Sequence, residues 1–292
     1  MPRTTRSRPL LGIMFMLAAM AILPVIDVFA KTLGQAGMPI LIVVWARALF
    51  SGLMTLPFAL KSEGLRAFRP AQPLRQLLRA VLLFGATFLF FSALKYLPIA
   101  DALAIFFVNP LVIVILSALL LRERVGPRRW AAVAVGFIGT LIIIRPGMVQ
   151  VNPGTLLALG SGVALGSYLV LTRAMAGAAD AMVLNFQTSA IGAALMALAL
   201  PLLWEAPTPM HWAMLAALGV IATLGHVLIT KAYEHGEASL LAPLAFTEIV
   251  MATVLGYAFF GDLPDRWTVL GVTILIASAI YISVRERQVK GR

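Results

Sequence analysis

The feature that most constrains this chain is a series of apolar stretches, most about twenty residues long, separated by short charged or Pro/Gly-rich breaks. About twenty apolar residues in helical form span the hydrocarbon core of a bilayer. Ten such stretches are legible, at 10–31, 38–60, 75–96, 99–121, 128–145, 153–173, 180–203, 211–231, 239–260 and 266–284. A transmembrane β-barrel would show shorter segments of alternating polarity. Charged residues make up only 12% of the chain, against about 25% in soluble domains, and the mean hydropathy is +0.96. The expected fold is an all-α integral membrane protein of ten transmembrane helices. The connections are too short for a soluble domain.

Lys and Arg set the direction. With both termini in the cytoplasm, eighteen of the twenty-three basic residues fall on the inner side, and only Lys31, Lys95, Arg145 and Arg266 on the outer side. Positive residues crowd cytoplasmic loops, so this topology, in a cell (inner) membrane, is the one the sequence favours. It also accounts for the net charge of +11 without nucleic acid, for which no motif or aromatic-lined basic groove is present. Arg3, Arg6 and Arg8 before an apolar run resemble a signal peptide, but that run has a counterpart later in the chain. With no cysteine and three scattered histidines, no disulfide, thiolate nucleophile or metal-ligand spacing is available, so no metal, cofactor or enzyme activity is expected.

The chain reads as two copies of one unit. Shifted by 142 residues, Gly12 meets Gly154, Pro24 meets Gly166 and Lys31 meets Arg173. Shifted by 139, Thr87 meets His226 and Asn109 meets Glu248. Shifted by 137, Pro127–Trp130 meets Pro264–Trp267. Loop deletions produce such a drift. Five spans per unit is an odd number, so the two units, 1–149 and 150–292, lie in opposite orientations. Inverted-topology repeats of this kind usually build transporters with a midplane site between the halves.

The polar residues inside the spans are the site candidates. Glu248 lies near mid-depth in the ninth span, where an ionisable residue is costly and usually functional. Asn109, Thr87 and His226 fall at matched positions and would line a shared wet cavity, with Tyr168, Phe107 and Phe246 among the aromatics. Hydrogen bonding between helices would also explain Asn109 and Thr87. Arg47, in "VVWARALF", needs a partner at mid-depth; a structural ion pair with Glu248 and a grip on a substrate carboxylate are both open, with the pair favoured. Asp27 and Lys31, at i and i+4, can pair on one helix face, either as an interfacial ion pair or as an outer gate loosened by Pro24. Ala158, Gly162 and Gly166 recur every fourth residue, a packing stripe. Asn185 and Gln187, two apart, do not share a helix face.

Three stretches carry a family resemblance: "ALKYLPIADALAIFFVNPLVIVILSALLLRERV", "RRWAAVAVGFIGTLIIIRPG" and "KAYEHGEASLLAPLAFTEIVMATVLGYAFFGDLPDRW". With the ten spans they resemble the drug/metabolite transporter superfamily, in particular EamA-like exporters, over essentially the whole chain. The mid-helix Pro110 and the Leu-x-Glu at Glu123 fit. The chain departs with Arg-Trp-Ala at 129–131, and with Asp262 and Ile249 where the second unit would carry Glu and Pro. The resemblance implies a secondary transporter exporting amino acids or similar small metabolites through a cavity enclosed by spans 1, 3, 4, 6, 8 and 9. Span two, with Arg47, would then stand off the substrate. Glu248 or His226 would carry a coupling proton or meet a substrate amine. Uptake or exchange of a cofactor-like metabolite or nucleotide-sugar is the alternative, and a non-transporting scaffold or receptor the different class. No Gly-x-x-x-x-Gly-Lys motif occurs, so this chain does not itself couple ATP. Its expected partners are a small-molecule substrate and the lipid bilayer; a homo-oligomer is compatible with the sequence.

Overall fold

A computed structural model describes residues 9–120, 126–144, 152–175, 178–235 and 241–290. Glu123, Arg122, Arg124, Arg145 and the basic residues at 3, 6, 8 and 292, used in the reading above, lie outside them. Among the described residues, twelve α-helices run in chain order: α1 Pro9–Gln35, α2 Ile40–Glu63, α3 Pro73–Ala93, α4 Ile99–Phe106, α5 Asn109–Leu120, α6 Pro127–Ile144, α7 Pro153–Ala174, α8 Ala181–Ala197, α9 Leu200–Leu203, α10 Pro209–His235, α11 Thr247–Phe260 and α12 Arg266–Lys290. Two 3-10 turns, Gly64–Phe68 and Ala242–Phe246, join them, and no strand occurs among the described residues.

Six helical stretches are long and apolar enough to cross a membrane, including Ile99–Leu120 taken as one unit; four shorter apolar helices occupy the other expected positions. The molecule is therefore a multi-pass helical membrane protein. Its outward faces agree. Leu10, Met14 and Leu17 on α1, and Val250, Val254 and Tyr257 on α11, are exposed at helical spacing, an apolar stripe suited to lipid. Inside, small residues let backbones approach, as membrane helix packing requires. Ala19, Ala30, Ala46, Ala48, Ala93, Ala102 and Ala158 are fully buried.

Two expected spans are broken rather than continuous. The fourth divides at Phe107 and Val108 into α4 and α5, and the ninth enters through a 3-10 turn before α11. Pro110 sits in the first turn of α5, where its missing N–H costs nothing. The seventh span ends as α8 at Ala197, with the short α9 after it. By contrast, Pro24 lies within α1 without ending it.

The helix pairings come in matched sets. Antiparallel α1 and α10 pack closely, with Phe15 on His235 and Leu23 where a Cβ on Gly225 would fall. Antiparallel α3 and α7 pack in the same way, joined by Arg79 to Thr172, Ser161 to the Ala86 carbonyl and Asn152 to the Tyr96 carbonyl. Two further pairs, α2 with α8 and α6 with α12, complete the set. Exchanging the chain's halves maps the first pair onto the second and each of the others onto itself. The Gly162–Gly166 stripe on α7 receives the α4–α5 break: a Cβ on Gly162 would lie 2.6 Å from the Phe106 carbonyl oxygen, and one on Gly166 would lie 2.9 Å from that of Asn109. The stripe is thus a packing surface.

Candidate functional site

Within otherwise apolar helices, polar residues recur at spacings of three to four and therefore share faces. On α2 these are Arg47, Ser51 and Thr55; on α8, Asn185 with Thr188 and Ser189; on α10, Thr223, His226 and Thr230. The three faces converge, with Tyr168 of α7 and Leu83 and Phe84 of α3, around a cavity of about 80 Å³. At roughly 10–15 Å³ per water on this measure, the cavity has room for several waters. No Asp or Glu lines it.

Most cavity hydroxyls spend their protons on backbone carbonyls. Thr55 donates to Ser51, Ser51 to Gly219, Thr223 to Gly219, Thr188 to Leu184 and Thr230 to His226. Such back-bonding satisfies a polar residue in a helix and leaves oxygen lone pairs toward the cavity. Arg47 donates Nη1 to Thr87 Oγ1, while Thr87 donates to the Leu83 carbonyl at 3.0 Å. The Nε of Arg47 is buried without a hydrogen-bond partner among the described residues.

One acid, Asp27, lies near this guanidinium from outside the cavity lining, and a second, Glu248, lies near Asp27. Asp27 on α1 is buried and within electrostatic reach of Glu248 and Arg47. Glu248 occupies the first turn of α11, where the helix dipole favours a negative charge. His226, exposed on α10, feels the charge of Arg47 in turn. Among the described residues, no three His, Asp or Glu side chains cluster as metal ligands would.

Toward one end of the bundle sits a guanidinium that the sequence reading counted only among the inner-side basic residues, at the interfacial start of the third span. Arg79 on α3 is 2% exposed. It donates Nε to Thr172 Oγ1 at 2.9 Å, Nη1 to the Leu184 carbonyl at 3.1 Å, and Nη2 to Tyr168 Oη at 3.1 Å and to Asn185 Oδ1 at 3.4 Å. Gln76, also buried, ties α3 to the Leu184 carbonyl and Thr188, and Gln187 reaches the Ala67 carbonyl. Asn185 and Gln187 thus serve different faces, as their spacing requires.

At the opposite end a contact joins distant parts of the chain. Lys31 Nζ lies 2.6 Å from Asp262 Oδ2, 3.3 Å from the Leu97 carbonyl oxygen and 4.7 Å from the centre of the Phe260 ring. Gly261, in the left-handed region at φ 70°, ends α11 and turns the chain so that the Asp262 N–H returns to the Gly256 carbonyl; glycine suits that conformation.

Several expectations are corrected. Lys31 pairs with Asp262, not with Asp27, because α1 turns Asp27 inward. Arg47 bonds Thr87 rather than Glu248, and it lines the cavity although it lies on the second span. Glu248 is not the lone acid at depth, since Asp27 is buried beside it. The lining comes from α2, α3, α7, α8 and α10: spans 3, 6 and 8 contribute as expected, spans 2 and 7 contribute as well, and no described residue of spans 1, 4 or 9 is part of it. Of the expected lining residues, Tyr168 and His226 line the cavity and Thr87 holds Arg47. Asn109 turns its amide to the Phe106 carbonyl at 3.0 Å. Phe107 and Phe246 stack on each other with ring centres 5.0 Å apart. These two are 139 residues apart, the offset of the repeat, and each stands at the break of its span. Ser51, Thr55, Thr188, Ser189, Thr223 and Thr230 were missed, though their spacing of three to four along apolar helices was legible.

A model of the "EamA-like transporter family" matches the chain twice, over residues 10–145 and 152–284. The S-adenosylmethionine uptake transporter of Rickettsia prowazekii (strain Madrid E) is 27% identical over 278 residues, 95% of this chain and 94% of that protein. The riboflavin transporter of Vibrio cholerae serotype O1 is 30% identical over 286 residues, 96% and 95% of the two chains. The pseudopaline exporter CntI of Pseudomonas aeruginosa is 26% identical over 239 residues, 80% and 82%. A solved crystal structure at 23% identity shares the fold, with a TM-score of 0.65 over 95% of this chain and 98% of the other. The doubled match, spread over nearly the whole of a helical membrane protein, means that the chain belongs to the EamA-like transporter family of the drug/metabolite transporter superfamily.

Proposed function

We propose that this transporter moves a small polar metabolite by alternating access, as a secondary transporter built from two inverted five-helix repeats, 1–149 and 150–292. The observation that carries this reading is the polar cavity, with room for several waters, inside an apolar bundle that Lys31 and Asp262 bridge at one end, with Asn185 and Thr230 toward the other. Matched helix pairings and matched breaks at Phe107 and Phe246 support the repeat, and discontinuous helices at corresponding positions are characteristic of such transporters. Counting the four shorter apolar helices gives ten crossings. The Lys and Arg bias then puts both termini in the cytoplasm of a cell (inner) membrane and makes the Lys31 end external, so the conformation faces inward.

Export of amino acids or similar metabolites is the first reading. Uptake is the second, favoured specifically by relatives named for S-adenosylmethionine uptake. Asp27, Arg47, Glu248 and His226 form the charged centre. There Glu248 or His226 would exchange a proton with the moving solute, and Lys31 with Asp262 would form the outer gate. The test is counterflow in vesicles containing the purified chain, loaded in turn with S-adenosylmethionine, riboflavin and amino acids. Accelerated exchange of at least one solute, lost on Arg47→Gln, is expected. Exchange no faster than in empty vesicles across the panel would favour a non-transporting receptor.

A further inference from the structure

The cavity presents hydrogen-bond donors that have no acceptor among the described residues. Arg47 Nη2 makes no hydrogen bond with a described residue and is not among the buried unpaired atoms, so it stands open. Tyr168 Oη accepts from Arg79, which leaves the phenolic O–H free to donate. Asn185 Oδ1 also accepts from Arg79, which fixes the amide so that its NH2 group is the free side. Both residues line the cavity with Arg47. Arg79 itself is buried and, among the described residues, hydrogen-bonds only hydroxyls, a carbonyl and an amide, with no carboxylate. A guanidinium placed there strengthens both donors by polarising them, as chains of hydrogen bonds do in a low dielectric.

We propose that the cavity binds a carboxylate of its substrate, held by Arg47 Nη2, the Tyr168 hydroxyl and the Asn185 amide, with Arg79 as the positioning residue behind the last two. Three donors around one open guanidinium nitrogen suit a singly charged group. A phosphate dianion would call for more cationic contacts than the described lining supplies, since Arg47 is its single guanidinium and Asp27 already lies within electrostatic reach of it. The hydroxyl oxygens of Ser51, Thr55, Thr223 and Thr230 are left as acceptors for an ammonium or hydroxyl elsewhere on the same molecule.

This inference rests on the transport reading only for its physiological meaning, because binding is measured separately from flux. The experiment records thermal stabilisation of the purified full chain by a panel of amino acids and short carboxylic acids. Each is compared with its amide and with a phosphate monoester of similar size. Stabilisation by at least one acid and not by its amide is expected. Tyr168→Phe, which keeps the ring, should weaken that binding about ten-fold, Arg47→Gln should abolish it, and Arg47→Lys should restore part of it. Arg79→Lys should weaken it while leaving the unliganded melting temperature near that of Arg79→Gln, which separates positioning from stability. Stabilisation by phosphate esters or amides as strong as by acids, stabilisation by none of the panel, or an unchanged affinity in Tyr168→Phe and Arg47→Gln, overturns the proposal. Binding without counterflow would instead count against transport, and counterflow indifferent to the carboxylate would count against this inference alone.

Discussion

Breaking the Lys31–Asp262 contact should open the Lys31 end of the protein, external in the topology proposed above, by a measurable amount. The pair is short, at 2.6 Å, and its two side chains are 8% and 30% exposed. Exposed ion pairs are worth about 0.2–1 kcal/mol, whereas charge-assisted hydrogen bonds with reduced solvation reach about 1.5–3 kcal/mol. A partly exposed carboxylate on a buried ammonium falls between, at about 1–2 kcal/mol. Asp262→Asn leaves Lys31 its Leu97 carbonyl and the Phe260 ring, so only the ionic part is lost. That energy is present only while the end is closed, and removing it shifts the closed-to-open ratio by about 5–30-fold. The chain has no cysteine, so a single reporter needs no prior substitutions. Ala100→Cys places a thiol three residues from Leu97 at a site 3% exposed. Its labelling rate from outside by a membrane-impermeant maleimide should rise by the same factor in Asp262→Asn. Lys31→Gln should do likewise, and the double variant should add nothing further. An unchanged rate, or additive effects of the two substitutions, would refute the assignment of this contact as the outer closure.

The remaining predictions concern packing and turns. Gly162→Ala forces a Cβ to within 2.6 Å of the Phe106 carbonyl oxygen and of Val108 Cγ1 and should cost about 1–3 kcal/mol, read as a lower melting temperature in detergent. Gly160→Ala, on the same helix with its nearest neighbour at 3.5 Å, should be neutral or stabilising by about 0.5–1 kcal/mol. Gly261→Ala should cost about 1–2 kcal/mol for the left-handed conformation and, by displacing Asp262, should raise the labelling of Ala100→Cys. Asn152→Ala removes the cap on Gly154 N and the bond to the Tyr96 carbonyl; a loss of about 1 kcal/mol is expected, again by melting temperature.

Much of the architecture was legible because the bilayer imposes a local rule. Every backbone polar group must be satisfied within its own helix, so the spans announce themselves by length and hydropathy. Repeat offsets and the bias of basic residues are likewise one-dimensional, and they suffice for the order of helices and the matched positions of Asn109 and Glu248. Glycines at 162 and 166 could be read as a packing stripe from spacing alone. Helical spacing also carried the cavity faces on α2, α8 and α10, although only Arg47, Asn185 and His226 drew notice.

Partner choice belonged to tertiary structure. Lys31 has Asp27 one turn away and Asp262 far along the chain, and only the rotation of α1 and the glycine turn at 261 decide between them. Arg47 took Thr87 because α2 and α3 face each other at that depth. Arg79 looked like an interfacial charge until α7 and α8 closed over it and turned Tyr168 and Asn185 into donors. The physical reason is common to all three cases. Secondary structure in a membrane follows from transfer free energies summed along the chain, whereas a charged side chain selects its partner by where several helices converge, and that convergence is written in no single segment.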